Sequence, residues 1–193
     1  MSQQATDKRV AVMMANGLEE IEGLTVVDLL YRAGIPCDTV SIERDTLVTS
    51  SHGVRVICDR ALGDVDFSFE DYDLLVLPGG MPGTTNLRSC EPLCAEVVAR
   101  AKAGRPLAAI CAAPSILAEL GLLKGRRATS FPGRREALVQ GGAEYLEDEV
   151  VVDGPLITSR GMGTAIPFGL AIVERYLGSD AAGRIRESII YRS

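Results

Sequence analysis

The alternation of short apolar runs with amphipathic stretches restricts the fold of this chain more than any other feature. Arg9 to Met14, Pro36 to Ile42, Leu74 to Leu77 and Leu107 to Ile110 read as strands. Val10 to Met14, Leu74 to Leu77 and Leu107 to Ile110 are apolar along their length rather than on alternate residues, as strands covered on both faces are, whereas Pro36 to Ile42 carries Asp38, Thr39 and Ser41. Between them, helical spacing runs from about Glu20 to Arg32 ahead of Gly34, and from Glu91 to Ala103 ahead of Gly104. Each terminal glycine supplies a left-handed cap. A helix-like run, Pro114 to Leu120, follows the fourth strand, and Thr164 to Leu177 reads as a closing helix. Strands interleaved with helices predict the α/β class, a mostly parallel sheet with helices on both faces. A turn at Ser50 to Gly53 and a short strand from Val54 to Cys58 predict a hairpin on the sheet edge. Strands at Glu144 to Val152 and Leu156 to Thr158 are expected around the Asp153-Gly154-Pro155 turn. With 193 residues and 47% hydrophobic content, a single domain over 1–193 is expected.

In an open parallel sheet, ligands collect beyond the carboxyl ends of the strands. The loops to read together are therefore Asn16 to Glu22, Pro78 to Pro82, Cys111 to Ala113 and Ser159 to Gly163. Cys111 sits where a strand gives way to a helix-like run, flanked by Ala109, Ala112 and Ala113. A sharp strand-to-helix turn that lifts a nucleophile above a sheet demands such small neighbours. At a helix start, the dipole and unpaired N–H groups are expected to depress the thiol pKa. The competing reading is a buried cysteine acting as a small hydrophobe. The backbone N–H groups beside Cys111 are candidate donors to an oxyanion, and the Gly79-Gly80 pair lets backbone approach closely, so that one of its N–H groups could form the second half of the hole.

Glu19 and Glu20, at the start of the first helix, fit a simple complement to the helix dipole. Glu22 shares its spacing with Ile21, Val26 and Leu29 and can turn inward, where an apolar pocket raises a carboxyl pKa. Protonated, it would hydrogen-bond a thiolate and serve as general acid and base; solvated, it would be one more dipole complement. His52, the single histidine, falls in a predicted polar surface turn, which leaves a Cys-His protease mechanism without its base.

Composition narrows the remaining classes. The net charge is −6 with no polybasic block, so no direct sequence-specific nucleic-acid binding is expected. No apolar stretch reaches ~18 residues and Met1-Ser2-Gln3-Gln4 has no leader character, so neither membrane association nor secretion is expected and the expected address is cytoplasmic. Cys37, Cys58, Cys90, Cys94 and Cys111, odd in number and without C-x-x-C spacing, read as reduced thiols with no metal site. Cys37 and Cys58 lie in or beside strands, and Cys90 and Cys94 would share a helix face. No G-x-G-x-x-G or P-loop motif occurs, so no nucleotide cofactor is expected, and no other cofactor is called for.

Four segments in order carry a resemblance: Gly17 to Glu22 (GLEEIE), Leu77 to Gly80 (LPGG), Ala108 to Pro114 (AAICAAP) and Thr158 to Ala165 (TSRGMGTA). Together they resemble the ThiJ/PfpI superfamily, in the branch that holds the Parkinsonism-linked DJ proteins and bacterial YajL. The resemblance spans nearly the whole chain and implies a flavodoxin-like three-layer sandwich that forms a homodimer. It implies Cys111 as an oxidisable nucleophile, Glu22 as its partnering acid, and Gly80 and Ala112 as the flanking N–H donors. Gly79, Phe131 and Arg160 would line the site, and Arg32 matches a family arginine near the dimer contact. Phe131-Pro132 stands where several members have a His-Pro step, and Ala112 replaces the histidine of the protease-type branch, so proteolysis is disfavoured. The implied activity is glutathione-independent conversion of methylglyoxal to lactate, with repair of early glycation adducts on proteins or nucleotides. The alternative is an oxidative-stress sensor or redox-regulated chaperone that acts through Cys111 oxidation without turnover.

Overall fold

The computed structural model of the chain describes residues 4–192; Met1-Ser2-Gln3, read above for a leader, lies outside the described residues. The chain runs β1 (Val10–Met14), α1 (Glu20–Ala33) and β2 (Cys37–Ser41), then β3 (Leu47–Thr49), β4 (Arg55–Ile57) and β5 (Arg60–Ala61). There follow β6 (Leu74–Leu77), α2 (Gly83–Ser89), α3 (Glu91–Ala103), β7 (Leu107–Ile110), α4 (Pro114–Glu119), β8 (Arg127–Ala128) and α5 (Arg135–Gln140). β9 (Glu144–Tyr145), β10 (Val150–Asp153), β11 (Leu156–Ser159), α6 (Ala165–Leu177) and α7 (Ser179–Ser188) complete it. A seven-stranded sheet has the order β10-β11-β7-β6-β1-β2-β5 and is parallel except for the β10–β11 pair. This is the predicted α/β sandwich, with the helices divided between the two faces.

The division can be followed along β1. Val10, Val12 and Met14 join one core with Val26 and Leu30 of α1 and Phe168, Ile172 and Val173 of α6. Ala11 and Met13 join the other with Leu93 and Val97 of α3 and Ile116 and Leu117 of α4. Successive side chains of a strand point to opposite faces, so a run apolar at every position serves both layers. Each large core side chain such as Phe168, fully buried, contributes about 1.5–3 kcal/mol through removal from water. α1 ends where expected: Gly34 adopts φ 72° and its N–H reaches the carbonyls of Leu30 and Tyr31. α6 lies close on α1 because position 169 is glycine; a Cβ there would stand 2.5 Å from Leu29 Cδ1.

Two expectations need correction. The 50–58 hairpin forms, but β3 and β4 make a separate two-stranded antiparallel sheet; the sheet edge is β5, paired with β2. The strand expected over Glu144 to Val152 is two strands: β9 pairs with β8, whereas β10 pairs with β11. Glu147, Asp148 and Glu149 interrupt it, three consecutive exposed acids that cannot enter a covered ladder. Cys90 caps α3 and Cys94 follows one turn on, its N–H donating to the Cys90 carbonyl at 2.9 Å, so the two stand a helical turn apart as expected. Among the described residues no helix is long and apolar enough to cross a membrane.

Candidate active site

The carboxyl ends of β1, β6, β7 and β11 bring the predicted loops together. At the end of β7 the backbone turns sharply enough that Cys111 adopts φ 63°, in the left-handed region that a non-glycine residue enters at a cost of roughly 1–2 kcal/mol. Neighbouring backbone holds it there. Its N–H donates to the Ser159 carbonyl of β11 at 3.0 Å, and its carbonyl accepts from Phe131 N–H at 2.8 Å. The half-buried thiol lies where the Gly80 and Ala112 N–H groups donate to its sulfur.

Glu22 is fully buried on the first turn of α1. Its Oε2 accepts the Gly79 N–H at 2.8 Å. Among the described residues its Oε1 has no hydrogen bond of good geometry, and the carboxyl interacts with the neighbouring Cys111 thiol. Gly79 is the spacer: a Cβ there would stand 2.7 Å from both Cys111 Cβ and Glu22 Oε2. Gly80, at φ 90°, passes so close to Leu18 and Glu19 that a side chain would strike their backbone. Glu19 N–H donates to the Gly79 carbonyl at 3.0 Å, closing this crossing of two loops.

The electrostatics of the pair follow from burial. Desolvation raises the Glu22 carboxyl from 4.5 to about 7, against the pull of Cys111 and the Gly79 N–H. Burial, followed by the like charge of Glu22, pushes the Cys111 thiol up to about 12, against the pull of the Gly80 and Ala112 N–H groups. This reverses the depression expected from a helix start. α4 spans six residues and begins three positions beyond Cys111, so its dipole contributes little, whereas the carboxyl is adjacent. The two groups titrate as a unit: one proton leaves near neutrality, and the second is held far higher by burial and by the first charge.

The other candidate positions fall around this pair. Phe131, half-exposed, stands at the rim, and Met81 and Met162, also exposed, belong to the 78–82 and 159–163 loops themselves. Arg160 turns its guanidinium to the Glu147 carbonyl at 2.8 Å, fastening the β11 loop rather than reaching the thiol. Gly161 escaped the sequence reading as a site position. A Cβ there would lie 3.9 Å from Cys111 Sγ, 3.9 Å from Phe131 Cδ2 and 4.0 Å from Glu22 Oε1, so its bareness keeps the approach to the pair open. The sequence marks the loop Ser159 to Gly163 as a whole, through its place after a strand and its Arg-Gly-Met-Gly run. Arg32 pairs with Asp28 on the exposed face of α1. His52 lies on the surface, its Nδ1 3.1 Å from Glu20 Oε1. Glu20 is thereby engaged with a base in addition to its place at the helix start. All five cysteines are free.

Residues 8–175 match the model of the DJ-1/PfpI family. The chain is 35% identical over 189 residues to Protein DJ-1 homolog B of Arabidopsis thaliana, covering 97% of this chain and 42% of that one. It therefore spans less than half the length of that relative. It is 34% identical over 162 residues to the glutathione-independent glyoxalase DJR-1.2 of Caenorhabditis elegans, covering 84% of each. Among solved structures it resembles oxidised DJ-1 of Toxoplasma gondii, with a TM-score of 0.88, 32% identity, and coverage of 96% of this chain and 100% of that one.

Proposed function

The chain belongs to the DJ-1/PfpI family, and from that premise we propose that it is a cysteine-dependent, glutathione-independent glyoxalase acting on small dicarbonyls, with Cys111 as nucleophile and Glu22 as general acid and base. The observation that carries this reading is a buried carboxyl whose pKa lies near 7, coupled to a thiol held between two backbone N–H donors. A relative named as such a glyoxalase supports the substrate class.

The steps use these groups alone. As the Cys111 sulfur attacks the aldehyde carbon of methylglyoxal, its proton passes to the Glu22 carboxylate. The oxyanion of the resulting hemithioacetal is held by the Gly80 and Ala112 N–H groups and then takes up that proton. Glu22 removes the C1 hydrogen to give an enediol and returns a proton at C2, leaving a thioester of lactate on Cys111. Water hydrolyses the thioester, so one methylglyoxal and one water give one lactate and the free thiol. Gly79, Gly161 and Phe131 shape the approach, and Arg160 positions the loop. Repair of glycated proteins or nucleotides is part of the same proposal, since each adduct presents a carbon at the aldehyde oxidation level to the same thiol. A homodimer is also part of it: α1 exposes Ile21 and Leu24, and the β3–β4 hairpin exposes Leu47 and Ile57. Sedimentation would show the dimer as twice 20.6 kDa.

The test is lactate formation from methylglyoxal without glutathione by reduced wild type, Cys111→Ser and Glu22→Gln. Loss in both variants supports the pair; full activity in Cys111→Ser overturns it. Absence of turnover in the reduced wild type would shift the reading to a redox sensor or chaperone. A solved neighbour in an oxidised state makes that the second reading, with two equivalents of a peroxide carrying the Cys111 thiol through a sulfenic to a sulfinic acid beside Glu22 and leaving as water or alcohol.

A further inference from the structure

At the opposite end of β7 from Cys111, roughly 13 Å away by strand length, a cleft of about 270 Å³ opens where α3 ends, α4 passes into its following loop, and the β10–β11 turn closes. Its walls carry Lys102, Arg105, Lys124 and Arg126, its floor includes Leu117 and Leu156, and among the described residues no aspartate or glutamate lines it. The cleft is thus locally basic in a chain of net charge −6. Lys102 alone could be explained by the last turn of α3, where a cation complements the helix dipole. Arg105, Lys124 and Arg126 lie outside the helices.

Two of these charges already have partners. Arg105 meets Glu70 at 2.8 Å and Arg126 meets Asp153 at 3.6 Å. Lys102 and Lys124 have no ion pair or hydrogen bond among the described residues and are exposed. The cleft thus presents two uncompensated positive charges above an apolar floor. An occupant that satisfies both features is a dianion carrying an apolar body. A phosphate monoester has about −1.5 to −2 charges at neutral pH, whereas a carboxylate supplies one. Lysine suits phosphate as a mobile point charge, and a volume of this size accepts a single small ring system.

We infer that this cleft is a second binding site, distinct from the Cys111–Glu22 pair, for a small organic phosphate monoester whose apolar group packs on Leu117 and Leu156 while Lys102 and Lys124 hold the phosphate. The experiment titrates the whole protein with 2-naphthyl phosphate by calorimetry at low salt. The comparison ligands are 2-naphthol, 2-naphthoate and inorganic phosphate, and the comparison proteins are the Lys102→Gln/Lys124→Gln double variant and Cys111→Ser. The site predicts saturable binding of the naphthyl phosphate, weakened at least tenfold in the lysine variant, weakened by salt, and unchanged in Cys111→Ser. It also predicts weaker binding of all three comparison ligands. Both lysines are exposed, so their replacement leaves the fold intact, which circular dichroism checks. Failure to saturate, equal affinity for naphthoate or for phosphate alone, indifference to the lysines, or loss in Cys111→Ser would each overturn the assignment.

Discussion

Replacing Glu22 by Gln is expected to leave stability unchanged in acid and to raise it above neutrality. The carboxyl has a pKa of 4.5 when unperturbed and about 7 in the folded chain, so the native state binds the proton more tightly than the unfolded state does. The stability that this contributes is complete below pH 4.5 and is lost as pH rises toward 7. At 1.36 kcal/mol for each pKa unit, the loss amounts to about 3 kcal/mol. Glutamine keeps an acceptor for the Gly79 N–H but never ionises, so its stability lacks this decline. Urea unfolding of both proteins from pH 4 to pH 8.5, at one fixed protein concentration because association shifts apparent stability, isolates the Glu22 contribution as the difference between variant and wild type. That difference should climb by about 3 kcal/mol across the interval and level off above pH 7.5. A flat difference, or one that falls with pH, would falsify the picture of a carboxyl held protonated by burial.

Further outcomes follow from the same geometry. The kcat/KM for methylglyoxal should rise with pH through about 7, as the pair loses its first proton, and a profile with no ascending limb there would count against Glu22 as the base. Gly79→Ala places a Cβ between Cys111 and Glu22. Activity should fall at least tenfold while stability drops about 1–3 kcal/mol; unaltered turnover would show that the spacing is not needed. Arg100 is fully buried and donates to the carbonyls of Phe69 and Tyr72 while pairing with Glu96 at 2.7 Å. Arg100→Met should cost about 1–3 kcal/mol in urea unfolding, since the Phe69 and Tyr72 carbonyls and the half-buried acid are left with their longer second partners alone, the Tyr72 N–H at 3.2 Å and Arg105 at 3.1 and 4.0 Å; no measurable cost would mean that these and water take over. Gly34→Ala should cost about 1 kcal/mol, because only the left-handed cap of α1 is disturbed, and lactate formation should be untouched.

The layers were legible from residues because the α/β repeat is written twice, in runs covered on both faces and in glycines that stop helices. Gly34 and Gly104 both take the left-handed cap implied by their place in sequence. What escaped was short or pairing-dependent. The two-residue strands β5, β8 and β9 have no period to read. α7, with Asp180, Arg184, Arg186 and Glu187 among few apolar residues, resembles solvent-exposed loop as much as helix until Ala181 and Ala182 are seen to pack on the α6 core. The hairpin was visible, but nothing in Val54 to Cys58 specifies whether it joins the main sheet, since pairing partners are distant in sequence. At the site, the meeting of the four loops could be inferred from topology. The sign of the thiol shift could not, because it depends on how near Glu22 comes and how fully both groups are buried. Gly161 was hidden for a related reason: its contribution is the absence of a side chain at one point in space.

The backbone of Cys111 has a consequence for experiments that sort sequence variants. Its φ of 63° belongs to a region where glycine is unstrained and asparagine or aspartate are tolerated. A library randomised at this codon and sorted only for folded, soluble protein should therefore drift away from cysteine, toward glycine first. The same library sorted for dicarbonyl clearance should return to cysteine. The distance between the two rankings at this one position would measure how far the local conformation is maintained for the thiol rather than for the fold.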